Sequence, residues 1–140
     1  MIVVDTNVAS ELMRPSPSKA VVAWVRATPA WHLHTTAITV AEVLYGVRRL
    51  ADSSRRTLLD TTAREVFSAF ADRVLGFDER AAEQYADIVT DRESTGRPIS
   101  GFDAQIAAIC RVHGATLATR NAKDFQGTGI AILDPWVAGG

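Results

Sequence analysis

Along this chain, short dense apolar runs alternate with longer segments in which apolar residues recur at helical spacing. The first run, Ile2-Val3-Val4, is unbroken bulky apolar sequence, the pattern of a strand buried on both faces of a parallel sheet. Further strands are predicted at Trp31 to Thr35, where apolar and polar positions alternate, at Val74 to Phe77, at Ala115 to Thr119, and at Ile130 to Leu133, which Pro135 stops. Between them lie amphipathic segments. A short helix begins near Val8 and runs through Leu12 to the Pro15 and Pro17 loop. The next is capped by Ser18, carries Val21, Trp24 and Val25 on one face, and closes at Pro29. Thr39-Val-Ala-Glu42 has capping-box spacing ahead of a helix from Val40 to about Leu50. A longer helix from about Ser54 to Ala71 presents Leu59, Ala63, Val66, Phe67 and Phe70 at the helical period. Glu79 to Thr95 turns Ala82, Tyr85, Ile88 and Val89 inward and ends at Gly96, and a last helix runs from Ser100 to Gly114. Strands alternating with helices predict a single three-layer α/β/α domain over residues 1–140, with a central, mostly parallel sheet of about five strands.

Composition narrows the class. At 47% hydrophobic and 22% charged, the 140 residues are those of an ordinary globular protein. A net charge of -1 gives no overall basic field, so any contact with nucleic acid must rest on local patches. No apolar run approaches the roughly 20 residues that span a bilayer, and the first residues enter a strand with no basic leader or cleavage site, so a cytoplasmic protein with no membrane partner is expected. Cys110 is the only cysteine. It excludes an intrachain disulfide, and its apolar setting predicts a buried, inert thiol.

The acids carry the chemistry. Asp5 ends the first strand, Glu42 falls in the first turn after the second, Asp103 in the first turn of the last long helix, and Asp124 just past the fourth strand. Each has a local explanation as a helix cap or a first-turn acid. Together they predict something more, because ligands in open α/β sheets bind outside the carboxyl ends of the strands. Carboxylates converging there would take up protons unless a cation held them. A hard divalent ion suits such donors, and it makes phosphodiester hydrolysis the matching reaction.

Four blocks in order along the chain, Val4-Asp-Thr-Asn7, Thr39-x-x-Glu42, Gly96 to Ala108 (GRPISGFDAQIAA) and Leu117 to Phe125 (LATRNAKDF), resemble the signature blocks of PIN-domain proteins, and more narrowly the VapC toxins and their FitB-like relatives. The resemblance covers essentially the whole chain. It implies a compact α/β/α sandwich and a Mg²⁺- or Mn²⁺-dependent endoribonuclease site. Asp5 and Asp103 would be metal ligands, and Glu42 and Asp124 would ligate directly or through water, or activate water. Thr6 and Thr119 match hydroxyl positions that support the pocket. Asn121 stands where many members carry another Asp, which removes one charge. The resemblance further implies an RNA substrate, a small antitoxin that wraps the toxin and blocks the pocket, a homodimer, and DNA contact only through the antitoxin.

Other readings follow from the same residues. Arg120 and Lys123 share a block with Asp124 and are candidates for substrate phosphate, whereas Arg48-Arg49 and Arg55-Arg56 fit a solvated helix face. His32 and His34, two apart on the predicted second strand, would permit a metal-free ribonuclease, but neither lies at that strand's carboxyl end. A receiver domain needs adjacent early acids, and a haloacid-dehalogenase-like phosphatase needs Asp-x-Asp where this chain has Asp5-Thr6-Asn7. The alternative from another class is a non-catalytic regulatory module of the same fold, acting in a DNA-bound complex with its antitoxin. Tyr45, Val47 and Leu50, or exposed Trp residues, are candidates for a partner surface, with core packing the default for apolar residues at this spacing.

Overall fold

The computed structural model describes residues 1–138, so the last two positions of the expected 1–140 domain lie outside the described residues. Its centre is β1 (Ile2–Val4), in which Val3 and Val4 are both buried. Side chains alternate along a strand, and these two feed different apolar clusters, one with Ile88, Ile106 and Leu117, the other with Val8, Val21, Leu33 and Phe70. The strand is thus covered on both faces, which is what its uninterrupted apolar sequence requires.

Around β1 the sheet runs β3-β2-β1-β4-β5, with β2 at Leu33–Thr36, β3 at Val74–Leu75, β4 at Thr116–Ala118 and β5 at Ala131–Leu133. Every pairing is parallel. From β1 the chain passes outward on one side through β2 and β3, then returns to β4 on the other side. The strand order therefore reverses between β1 and β4, and the crevice at their carboxyl ends is where this class of sheet binds ligands. Asp5 follows β1 there and Thr119 follows β4.

The helices are α1 (Thr6–Leu12), α2 (Lys19–Ala27), α3 (Ala37–Arg48), α4 (Ser54–Ser68), α5 (Glu79–Ser94), α6 (Gly101–His113) and α7 (Pro135–Ala138). Helices α5 and α6 pack together and cover one face. In α6 Ala104, Ala107 and Ala108 are fully buried beside Ile106 and Ile109. Such small side chains let the helix approach closely, and truncating a residue like Ile106 to alanine costs about 2–5 kcal/mol. Gly114 ends α6 in the left-handed conformation at φ 60°, which glycine adopts without a Cβ penalty. On the opposite face Val4 and Ala118 meet Val8, Val21, Trp24, Phe70 and Trp136 from α1, α2, the end of α4 and α7. A small cluster of Ala9, Val43 and Ala63 ties α1 to the α3–α4 pair.

Several local expectations shift. Residues Ala30–His32 form a 3-10 turn after Pro29, so β2 begins at Leu33, and Trp31 is exposed against the edge of His32. His32 and His34 therefore do not share a strand. Helix α3 is capped by Thr36, whose hydroxyl accepts the Thr39 amide at 3.0 Å. Thr39 is inside the helix, not its cap, and Glu42 lies in the second turn. The cap falls on Thr36, three residues earlier than expected, because β2 runs directly into the helix. In α5 the buried face is Ala81, Ile88 and Arg92, while Ala82 is exposed. Strand β3 stops at Leu75, leaving Phe77 exposed, and the chain after Pro135 forms α7, which no apolar period announces in so short a segment.

Candidate active site

Asp5 is the N-cap of α1 and also the floor of a cleft. Its Oδ1 accepts the Thr6 amide at 2.8 Å, so the capping explanation holds. Its Oδ2 accepts the Thr119 hydroxyl at 2.7 Å, and the residue is only 4% exposed. The Thr119 hydroxyl in turn accepts the Asn7 amide at 3.0 Å and the Asn121 backbone N–H at 3.1 Å. With both of its acceptor positions taken, that hydroxyl can point its proton only at Asp5. The first strand end, the first helix and the loop after β4 are thus fastened through one carboxylate.

The second acid is held from its own side. Thr6 Oγ1 donates to Glu42 Oε1 at 2.8 Å and lies 3.3 Å from Thr39 Oγ1, which is itself 3.3 Å from Thr36 Oγ1. Thr36 and Thr39 are fully buried, so the row of hydroxyls satisfies groups that would otherwise be unpaired in the core. Asp103 comes from the first turn of α6, where Ser100 caps the helix by accepting the Asp103 amide at 3.2 Å. Its carboxylate is half-buried, and the Ser100 side chain also favours its charged form.

Asp5, Glu42 and Asp103 line one open cleft of about 540 Å³, together with Thr6, Asn7, Ser10, Glu11, Arg14, Arg120, Asn121 and Trp136. Asp124 does not line it. It sits exposed on a 3-10 turn, Ala122–Phe125, but close enough that its charge is felt at Asp103. Lys123, on the same turn, is likewise outside the lining, whereas Arg120 is within it.

Burial sets the electrostatics. Desolvation pushes Asp5 up from 3.8 to about 6, against the Thr119 and Thr6 hydrogen bonds that favour its charged form, and the charges of Asp103 and Glu42 add to the rise. Glu42 and Asp103 are also raised, again chiefly by desolvation, with Asp103 acting on Glu42 and Asp124 on Asp103. Among the described residues no three His, Cys, Asp or Glu side chains form a ready-made ion cage. The donor set nevertheless suits a hard divalent cation: three carboxylates face an open cleft, their proton affinities are raised by burial and further by one another's charge, and Mg²⁺ keeps several waters while taking only one or two carboxylates directly.

Four residues of this region had no role assigned from the sequence. Glu11 is buried at the cleft, accepting the Ser18 amide at 2.8 Å and pairing with Arg14 at 3.3 Å. An acid on the apolar face of a short helix, three after Val8, was the available signal. Arg92 is buried and donates to the carbonyls of Arg97, Asp124 and Gln126 at 2.6, 2.9 and 2.8 Å, pinning the turn that carries Asp124 to α5. Its place four residues after Ile88 marks it as inward. Asn7 and Trp136 left no signal, since their partners are more than a hundred residues away or lie in a turn. Cys110 is fully buried, its thiol pushed up to about 12 by desolvation, as expected of an inert residue.

The sequence matches the PIN domain family over residues 2–130. The chain belongs to that family. Among curated PIN-domain relatives, "VapC ribonuclease Y4jK" of Sinorhizobium fredii is 41% identical over 97% of this chain and 98% of its own length. "Toxin FitB" of Neisseria gonorrhoeae is 37% identical over 97% of this chain and 99% of its own. Among solved structures, the crystal structure of FitAcB from Neisseria gonorrhoeae superposes with a TM-score of 0.90 at 37% identity, covering 98% of this chain and 99% of that one. The structure of FitAB bound to an IR36 DNA fragment gives 0.88 at 37% identity, covering 97% and 96%. The five-stranded parallel sheet with helices on both faces is therefore the PIN-domain fold. No described helix is long and apolar enough to cross a membrane.

Proposed function

We propose that this PIN-domain protein is the toxin of a toxin–antitoxin pair, a metal-dependent endoribonuclease that hydrolyses RNA phosphodiester bonds in the cytoplasm. The observation that carries the reading is the meeting of Asp5, Glu42 and Asp103 in one cleft at the carboxyl edge of the sheet, in a chain 41% identical to a VapC ribonuclease. Asp5 and Asp103 would hold a Mg²⁺ or Mn²⁺ ion, with Glu42 and Asp124 acting directly or through water. When bound, such an ion lowers the pKa of a coordinated water and neutralises charge on the leaving oxygen. The protein's own part is to keep these acids aimed. Thr119 and Thr6 fix Asp5 and Glu42 in place and favour their ionised forms against the cost of burial, Asn7 and Asn121 fix Thr119, and burial keeps competing solvent from Asp5. Arg120, which lines the cleft, would meet substrate phosphate; Lys123, on the next turn and outside the lining, would contact it only beyond the cleft.

An antitoxin fits a second feature. An apolar groove of about 540 Å³ is lined by Met13, Val43, Val47, Leu50, Leu58 and Leu59, and shares Thr6, Ser10, Arg14 and Glu42 with the acidic cleft. A peptide laid along that groove reaches the acids, which supports inhibition by a wrapping partner. Of the residues singled out for this role, Val47 is buried within the groove wall and Tyr45 is exposed beside it. Dimerisation with a second copy, and DNA contact through the antitoxin, complete the reading. A regulatory module without catalysis is its alternative.

The test is cleavage of total RNA in Mg²⁺, with and without chelator, by the unaltered protein and by Asp5→Ala and Asp103→Asn. Both variants are expected to lose cutting by at least about 100-fold while melting as cooperatively as the unaltered protein. Cutting that survives chelator removes the metal from the scheme. No cutting of any RNA favours the regulatory module.

A further inference from the structure

Arg120 lines a cleft that contains three carboxylates, yet it pairs with none of them. Among the described residues the ion pairs are Arg14 with Glu11 and Arg64 with Asp60. The Arg120 guanidinium instead lies over the indole of Trp136, 4.7 Å from the ring centroid. A flexible, exposed arginine beside acids would turn onto one of them unless something held it. Trp136 is built to hold it. Its backbone N–H donates to Asp134 at 2.8 Å, its ring packs against the apolar cluster of Val4, Val8 and Trp24, and its helix α7 packs on α2. The backbone of Arg120 is fixed too, its N–H donating to Asn7 Oδ1 at 3.3 Å. What remains is a planar cation centred over tryptophan, on an exposed residue, with no side-chain hydrogen bond among those described.

We propose that Arg120, held flat by Trp136, is a nucleotide subsite at the rim of the catalytic cleft: the base next to the scissile phosphate stacks on the outer face of the guanidinium, and its edge N–H groups meet the backbone phosphate. This goes further than charge steering and rests on the ribonuclease reading. Guanidinium planes stack bases as aromatic rings do, and a base can offer its face this way only when it is unpaired and splayed from its neighbours. The site therefore selects single-stranded RNA at this position. Trp136 is a positioning residue, since it acts through Arg120.

The experiment uses the full-length protein carrying Asp103→Asn, to prevent cutting, in Mg²⁺ buffer. Binding of a twelve-nucleotide oligoadenylate is compared with binding of an inorganic polyphosphate of equal charge. Adding Arg120→Lys, which keeps the charge and loses the plane, is expected to weaken the oligoadenylate about 10-fold and the polyphosphate several-fold less, because lysine still meets phosphate as a point charge and loses only the forked contact. Trp136→Ala should do the same and Trp136→Phe should recover most of the loss. In the cutting-competent protein Arg120→Lys should raise KM and leave kcat nearly unchanged. Equal losses for both probes, no loss for either, or no binding of the oligoadenylate at all would each overturn the subsite. Arg120→Lys is a surface change, so the result stands even if Trp136→Ala melts early. If the unaltered protein cuts no RNA while the two probes still separate, the ribonuclease reading fails and the subsite survives.

Discussion

The two walls of the cleft are built by different means. On one side Asp5 and Glu42 are each gripped by a threonine hydroxyl at 2.7 and 2.8 Å, and those hydroxyls belong to rows of further hydrogen bonds that reach β4 and α3. On the other side Asp103 stands half-buried with its own helix cap Ser100 as its side-chain partner and no row of hydroxyls behind it. Its acidic neighbour Asp124 is exposed on a turn that Arg92 holds by backbone carbonyls. The gripped wall is where an acid is buried deeply enough to be raised to about 6. The difference teaches that preorganisation here is unequal: one wall is fixed before any ligand arrives, and the other keeps a carboxylate free to adjust. Substitutions on the first wall should therefore cost more than substitutions on the second.

The largest effect expected concerns stability. Folded Asp5 keeps its proton up to about 6, whereas in the unfolded chain it ionises near 3.8. Between those values the folded state binds more protons, so stability falls as pH rises through that window and stays lower above it. With chelator present the contribution lost is about 3 kcal/mol. Melting in denaturant at pH 4 and at pH 8 measures it, and Asp5→Asn should remove the greater part of the difference between the two. Mg²⁺ added at pH 8 should restore stability in the unaltered protein, because an ion that binds only the folded state favours it. An Asp5→Asn protein with an unchanged pH slope would show that the deep wall is not electrostatically costly, and the contrast between the walls would lose its basis.

A sharper comparison lies within the gripped wall. Thr119→Val removes the donor to Asp5 and the acceptor for both Asn7 and the Asn121 amide; outer groups of this kind are worth about 10–100-fold in metal affinity or activity. Its hydroxyl lowers the Asp5 pKa, so its loss raises that value and moves the acidic limb of the pH–activity profile to higher pH. Thr6→Val should act in the same direction through Glu42, at the lower end of the range, because Glu42 is more exposed to water than Asp5. Rates measured from pH 5 to pH 9 decide it. A profile displaced to lower pH in either variant would contradict the assigned hydrogen-bond directions.

How much of this was written in the sequence differs between the walls as well. The strand Ile2–Val4 and the acid after it were legible because an unbroken apolar run has one good solution, and the cap at Asp5 is a local interaction. Asp103 was legible through Ser100, three residues before it. What was not legible depended on contacts distant in the chain: the Asn7–Thr119 hydrogen bond spans 112 residues, and Arg120 meets Trp136 only because the loop after β4 and the turn after β5 fold together. Glu42 was found for a partly mistaken reason. Its spacing from Thr39 suggested a capping box, yet Thr36 is the cap, and Glu42 reaches the cleft from the second turn because β2 enters α3 without a loop. Asp124 was placed on the same edge from its position after β4, but the 3-10 turn that follows carries it beyond the lining.

That last placement makes Asp124→Asn the mildest substitution of the set. The change leaves the backbone carbonyl that Arg92 holds, so the turn should keep its shape. It removes a charge that raises Asp103, and Asp103 should then ionise at a lower pH. Two effects oppose one another as a result. Any contact Asp124 makes through water is weakened, while Asp103 stays ionised further into acid. The net loss of activity should be less than the roughly 10-fold expected for a group that orients a ligand directly, and smaller on the acidic limb of the pH–activity profile than on its plateau. Steady-state cutting of one RNA across the pH profile measures it. A loss as deep as that of Asp103→Asn would mean that the exposed acid swings into the cleft when substrate and ion are present, and the looser wall would then be the one that moves to complete the site.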